Sequence, residues 1–87
     1  MNPILMEAIL NLAAFLELST DDVVQEDAAV GQLEYLAGTL DELADDDRQV
    51  FAGYVRSRLV QERQSTNQSE YAKFLESFLE MLEDNED

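Results

Sequence analysis

The chain has no cysteine and no histidine. Without cysteine there is no disulfide framework and no thiolate metal site, and in so small a domain that fits a reducing cytoplasm, the expected location. Without histidine the commonest general base and imidazole metal ligand are missing as well. Catalysis would fall to carboxylates, Lys73, a tyrosine or a serine, and the carboxylates lie mainly in solvated runs with no apolar pocket to tune one against another. The reading is therefore a protein that is not an enzyme and uses no cofactor and no metal. Basic residues are also scarce, five against twenty acidic ones, for a formal charge of −15. Such a charge repels phosphate backbones and anionic lipid and attracts basic surfaces, so neither direct nucleic-acid binding nor a membrane surface is expected.

Long hydrophobic runs are absent too. The apolar stretch that follows Met1-Asn2-Pro3 is broken by Glu7, Asn11 and Glu17, has no basic residues before it, and falls short of the ~20 apolar residues of a membrane span. Neither a signal peptide nor a membrane anchor is expected. Calcium would suit the acids, but neither Asp21–Gln32 nor Asp41–Ala52 has oxygen ligands at the loop positions an EF-hand requires with its glycine. No phosphate-binding glycine loop or nucleophile elbow is present.

What is present is globular composition, 46% hydrophobic over 87 residues. That size supports a single helical domain, residues 1–87, ending in a frayed acidic C-terminus at 83–87. Four stretches carry helical periodicity and none alternates with period two, so the fold class is all-α, a compact bundle of four short helices. The first runs from Pro3 to Leu18 with Asn2 as N-cap and Pro3 in the first turn. Its expected core stripe is Ile4, Leu5, Ala8, Ile9, Leu12, Phe15 and Leu16, with Met6, Leu10 and Ala13 adding apolar surface beyond it. That breadth suggests cover on more than one side, by the chain's own bundle or by a second copy in a homodimer, which Leu10→Glu should disrupt. The second helix spans Asp27–Leu43, with Val30, Leu33, Leu36, Ala37, Leu40 and Leu43 facing inward. The third follows the Asp45-Asp46-Asp47 run, which offers N-caps and negative charge at the positive end of the helix, and continues to Gln64. Its inward face is Val50, Phe51, Tyr54, Val55 and Leu59, with Arg58 among them in need of an acidic neighbour or a path to solvent. Asn67 and Glu70 resemble a capping box opening a fourth helix built on Tyr71, Phe74, Leu75, Phe78, Leu79 and Leu82.

The acids cluster. Asp21, Asp22, Glu26 and Asp27 precede the second helix, Glu34, Asp41 and Glu42 lie on its outer side, and Asp45, Asp46 and Asp47 follow it. A charged helix face can be merely solvated, but like charges seven residues apart without interspersed lysines raise local potential at a cost in stability that a basic partner relieves. Tyr35 stands on the same side, flanked by Gly31 and Gly38, and tyrosine is a frequent interface anchor. The expected partner-binding residues are Asp27, Glu34, Tyr35, Asp41, Glu42, Asp45, Asp46 and Asp47.

The segment Asp27-Ala28-Ala29-Val30-Gly31-Gln32-Leu33-Glu34, continuing through Leu36-Ala37, Leu40 and Leu43 to Asp45-Asp46-Asp47-Arg48 and Phe51, resembles the small acidic helical immunity proteins encoded beside bacterial interbacterial toxins. The resemblance covers about a third of the chain. It implies a cytoplasmic antitoxin that neutralises a cognate basic toxin domain by covering its active site or substrate cleft. In that case the acids of the second helix would steer the encounter and Tyr35 would anchor it. Two other classes remain open: an acidic mimic of nucleic acid that inhibits a host or defence complex, and a dimeric structural or adaptor protein assembled through the first helix.

Overall fold

The computed structural model describes residues 1–20, 22–65 and 69–83, and these form four α-helices. They are α1 (Pro3–Leu18), α2 (Glu26–Leu40), α3 (Asp45–Ser65) and α4 (Glu70–Glu83). The all-α bundle read from the sequence is the observed architecture. No helix among the described residues is long and apolar enough to cross a membrane.

The largest interface joins α3 to α4, which lie antiparallel: Arg56 meets Glu83 at one end, and Glu62 accepts a 2.7 Å hydrogen bond from Ser69 at the other. Phe51 packs edge-on against Phe78 with ring centroids 5.8 Å apart, and Phe74 continues the aromatic file 5.6 Å from Phe78. Val55 and Leu59 of α3 and Leu75 and Leu82 of α4 complete this layer. α1 lies across it and contributes Met6, Leu10 and Ala13 to the same continuous core. α2 packs chiefly on α1.

The helix starts follow local chemistry. Asn2 Oδ1 accepts from the Ile4 amide at 2.7 Å, and Pro3 takes a position whose missing N–H costs nothing, as the sequence indicates. α4 is capped by Ser69, whose hydroxyl accepts from the Ala72 amide at 2.9 Å. The expected cap, Asn67, lies outside the described residues, as do residues 84–87 of the frayed end expected at 83–87; Glu83 itself is not frayed but closes α4 and pairs with Arg56. The run Asp45–Asp47 does not cap α3 but fills its first turn, because the Arg48 amide already bonds the Ala44 carbonyl at 2.9 Å. There the carboxylates still oppose the positive end of the helix dipole. α2 stops at Leu40, short of Leu43, where the Glu42 and Leu43 amides turn back onto Thr39 and Leu40.

The main departure concerns α1. Most of the stripe expected in the core faces outward, with Ile4 76% exposed, Leu5 57%, Leu12 57% and Phe15 48%, while Ile9 packs half-buried against the core as expected and Leu16 is half-buried. Met6, Leu10 and Ala13 are buried instead. On α3, Phe51, Val55 and Leu59 are buried as expected, whereas Val50 is 48% exposed and Ala52 and Arg48 are buried in its stead. Val30 of α2, expected inside, is exposed as well. Adjacent Val50 and Phe51 therefore give a direct check: Phe51→Ala should lower the unfolding free energy by about 3–5 kcal/mol, and Val50→Ala should stay within about 0.5 kcal/mol, both read from urea titrations followed by circular dichroism.

Candidate functional site

An α-helix advances about 100° per residue, so residues seven apart lie nearly above one another, roughly 10.5 Å apart along the axis. On α2 this sets Asp27, Glu34 and the C-cap Asp41 in one file, Gly31 and Gly38 in the next and Tyr35 beyond them, with Glu42 following in the turn. All seven are exposed, and Tyr35 is exposed to 70%. The two glycines leave bare backbone between the carboxylate file and Tyr35. An added Cβ at either glycine would meet nothing within 4 Å, so no contact inside the chain accounts for them. A helical glycine nevertheless costs about 0.5–1 kcal/mol relative to alanine. A bare helix backbone flanked by an aromatic ring suits the close approach of another chain.

The turn after α2 carries the rest of the acidic surface. Asp45 and Asp46 are exposed. Asp47 is half-buried, and its carboxylate lies 3.5 Å from the terminal amine of Met1, which ties the start of α1 to the start of α3. Asp41 is both a surface carboxylate and the C-cap of α2. Its carbonyl accepts a 2.8 Å hydrogen bond from Arg48 Nη2, and its carboxylate stands 3.3 Å from the same nitrogen. The guanidinium thereby occupies one of the carbonyls that a helix C-terminus leaves unpaired and sits favourably at the negative end of the helix dipole. Arg48 is buried, and its Nε has no hydrogen-bond partner among the described residues.

Sequence reasoning singled out Arg58, and the buried arginine is Arg48. Arg58 is half-buried and takes the second of its two expected outlets, a path to solvent, with tyrosines for neighbours: Nη2 donates to the Tyr54 hydroxyl at 2.7 Å, Nη1 reaches the Tyr71 hydroxyl at 3.5 Å, and the guanidinium lies 5.3 Å over the Tyr54 ring. Hydroxyls and a π face supply what a carboxylate would have. The other cations are spoken for by acids: Arg56 by Glu83, Arg63 by Glu76 and Lys73 by Glu70.

All five basic residues lie at or beyond Arg48, so α1, α2 and the segment between them carry acids with no lysine or arginine among them. This asymmetry is readable in the sequence once charge is counted by half rather than by face. It makes the outer side of α2 part of a continuous anionic region. Among the described residues the acids do not converge in a group that could hold a metal ion. An open cleft of about 560 Å³ between α3 and α4 is lined by Arg48, Arg56, Asp45 and Glu83, but both guanidiniums there already face carboxylates or a carbonyl. The arrangement on α2 is suited to recognising a basic, partly apolar surface.

Gly31→Ala and Gly38→Ala should each raise the unfolding free energy by about 0.5–1 kcal/mol, since the added methyl enters open space and stiffens the unfolded chain. Midpoints of urea unfolding measure this, and a loss of stability at either position would show that something in the fold needs the glycine.

Comparison with protein-family models, with curated proteins and with solved structures found no match, so the chemistry of the surface itself has to carry the functional reading.

Proposed function

We propose that the protein is a cytoplasmic inhibitor of the immunity-protein kind, which binds a cognate basic toxin domain through the outer face of α2 and the turn behind it and so covers the toxin's working surface. The observation that carries this reading is Tyr35, 70% exposed beside two helical glycines that have open space around them. A large amphipathic ring left in water next to bare backbone is a ready anchor for a partner, and tyrosines of this kind dominate binding energies at interfaces. Asp27, Glu34, Asp41 and Glu42 surround the anchor, and Asp45, Asp46 and Asp47 extend the negative field. Their summed potential draws a basic partner in and raises the association rate toward roughly 10⁸–10⁹ M⁻¹s⁻¹ at low salt. The ring then slows release.

Mimicry of nucleic acid would use the same carboxylates. Along α2 they recur in a file about 10.5 Å apart along the axis, beside glycines and a tyrosine, whereas each strand of a duplex presents a charge about every 3.4 Å of its axis. The spacing favours a compact protein-binding patch.

Co-purification from the native host at low and moderate salt, with identification of the retained protein, tests the reading. A single basic toxin-like partner supports it; a nucleic-acid-binding complex would replace it with mimicry. Against the retained partner, Tyr35→Ala should weaken binding by about 2 kcal/mol or more, roughly thirtyfold, chiefly through faster release. Replacing Asp45, Asp46 and Asp47 by asparagine should instead slow association and flatten its salt dependence. Unchanged affinity in Tyr35→Ala with the fold intact would remove the patch from consideration.

A further inference from the structure

We infer that two copies of the chain pair through the outward face of α1, antiparallel about a twofold axis. Leu5, Ala8, Leu12 and Phe15 are all exposed, and their 3-4-3 spacing is that of the a and d positions of a coiled-coil seam. Ile4 and Leu18, also exposed, widen the stripe on one flank. The opposite side of the same helix, Met6, Leu10 and Ala13, is committed to the chain's own core, so the outward stripe is a second apolar face that the described residues leave exposed.

Three features point to a second copy as the occupant. The first is register. In an antiparallel pair a positions meet d positions, which sets Leu5 opposite Phe15 and Ala8 opposite Leu12 of the other copy, so the two central layers each match a small residue with a large one. The second is charge. Each copy carries −15, yet every position on the seam and beside it (Ile4, Ile9, Asn11, Leu16 and Leu18) is uncharged, so this face brings two strongly anionic chains together without opposing like charges at the contact. A basic partner, by contrast, would find nothing here to recognise it. The third is area. The exposed fractions of Ile4, Leu5, Leu12, Phe15 and Leu18 amount to roughly 500 Å² per chain, so complete cover of the stripe in two copies would bury about 1,000 Å² between them, the lower limit for a specific interface. A patch of that size lies at the upper end of what monomers leave in water.

The pairing does not depend on the function proposed for α2, and its salt response has the opposite sign. Two like-charged chains repel at long range and salt screens that repulsion, so dimerisation should tighten by about tenfold between 50 and 500 mM salt, whereas binding of a basic partner should weaken. Sedimentation equilibrium of the whole chain should give a mass about twice 9.9 kDa at high micromolar concentration and moderate salt. Leu12→Glu should weaken pairing by about a hundredfold, with helicity by circular dichroism unchanged because position 12 is already in water in the single chain. Leu5→Gln, at the other end of the seam, should do the same, and Tyr35→Ala should leave pairing untouched. Because the chain has no cysteine, oxidising a mixture of Leu5→Cys and Phe15→Cys chains should yield the mixed disulfide in preference to either self-linked dimer; positions 5 of two antiparallel copies stand about 15 Å apart, beyond the reach of a disulfide. A monomer mass at every concentration and salt, a folded Leu12→Glu or Leu5→Gln chain that pairs like the parent, or self-linked dimers in place of the mixed one would overturn the inference.

Discussion

The edge-on contact of Phe51 with Phe78 is where the bundle begins. It joins two helices that follow one another in sequence, so the loop that must close is short and its entropic cost small. Once α3 and α4 lie together, their apolar stripes form a trough too wide for either helix to cover, and α1 fills it with Met6, Leu10 and Ala13. α2 comes last in this hierarchy, since its main support is α1. The charged groups follow the same order: three ion pairs stitch or border α3 and α4, and two more, from the Met1 amine to Asp47 and from Arg48 to Asp41, tie α1 and α2 to the start of α3.

How much of this was legible in the sequence depends on what each signal measures. Helical periodicity reports that an apolar stripe exists, and on α3 and α4 one dominant stripe exists, so Phe51, Val55, Leu59, Phe74, Leu75, Phe78 and Leu82 were readable as core. On α1 two apolar stripes lie back to back. Periodicity then cannot say which one faces inward, because the choice is made by how α2, α3 and α4 pack around the helix, a tertiary property. The same limit explains Arg48 and Arg58. Whether an arginine is buried depends on whether a carbonyl waits at the right place, and the Asp41 carbonyl is placed by a turn whose geometry no spacing rule encodes. The exposed face of α2 was legible for the converse reason: carboxylates mark water wherever they stand unpaired. What the sequence did not convey is that Gly31 and Gly38 have empty space above them, since glycine is also used where a neighbour crowds in.

The two unusual surfaces differ in physical character. The face of α2 combines charge, bare backbone and one ring, a composition suited to an encounter that begins at long range. The face of α1 is uncharged and acts only on contact. Each lowers the stability of the isolated chain, one by self-repulsion and helical glycines, the other by leaving large side chains in water. A small domain with two such faces has little stability to spare, and association at either would restore some of it.

The lopsided support of α2 has a consequence for motion. An element held chiefly by one neighbour can detach as a unit while the remaining three helices keep their shared core, so its amides exchange with solvent through a local opening far less costly than global unfolding. The Arg48 bond to the Asp41 carbonyl lies at the far end of that element and anchors it to α3 there, whereas its Glu26 end has no side-chain cap. The helix that presents Tyr35 is thus the least firmly seated of the four, and it can adjust its tilt to a partner's contour without disturbing the aromatic layer beneath.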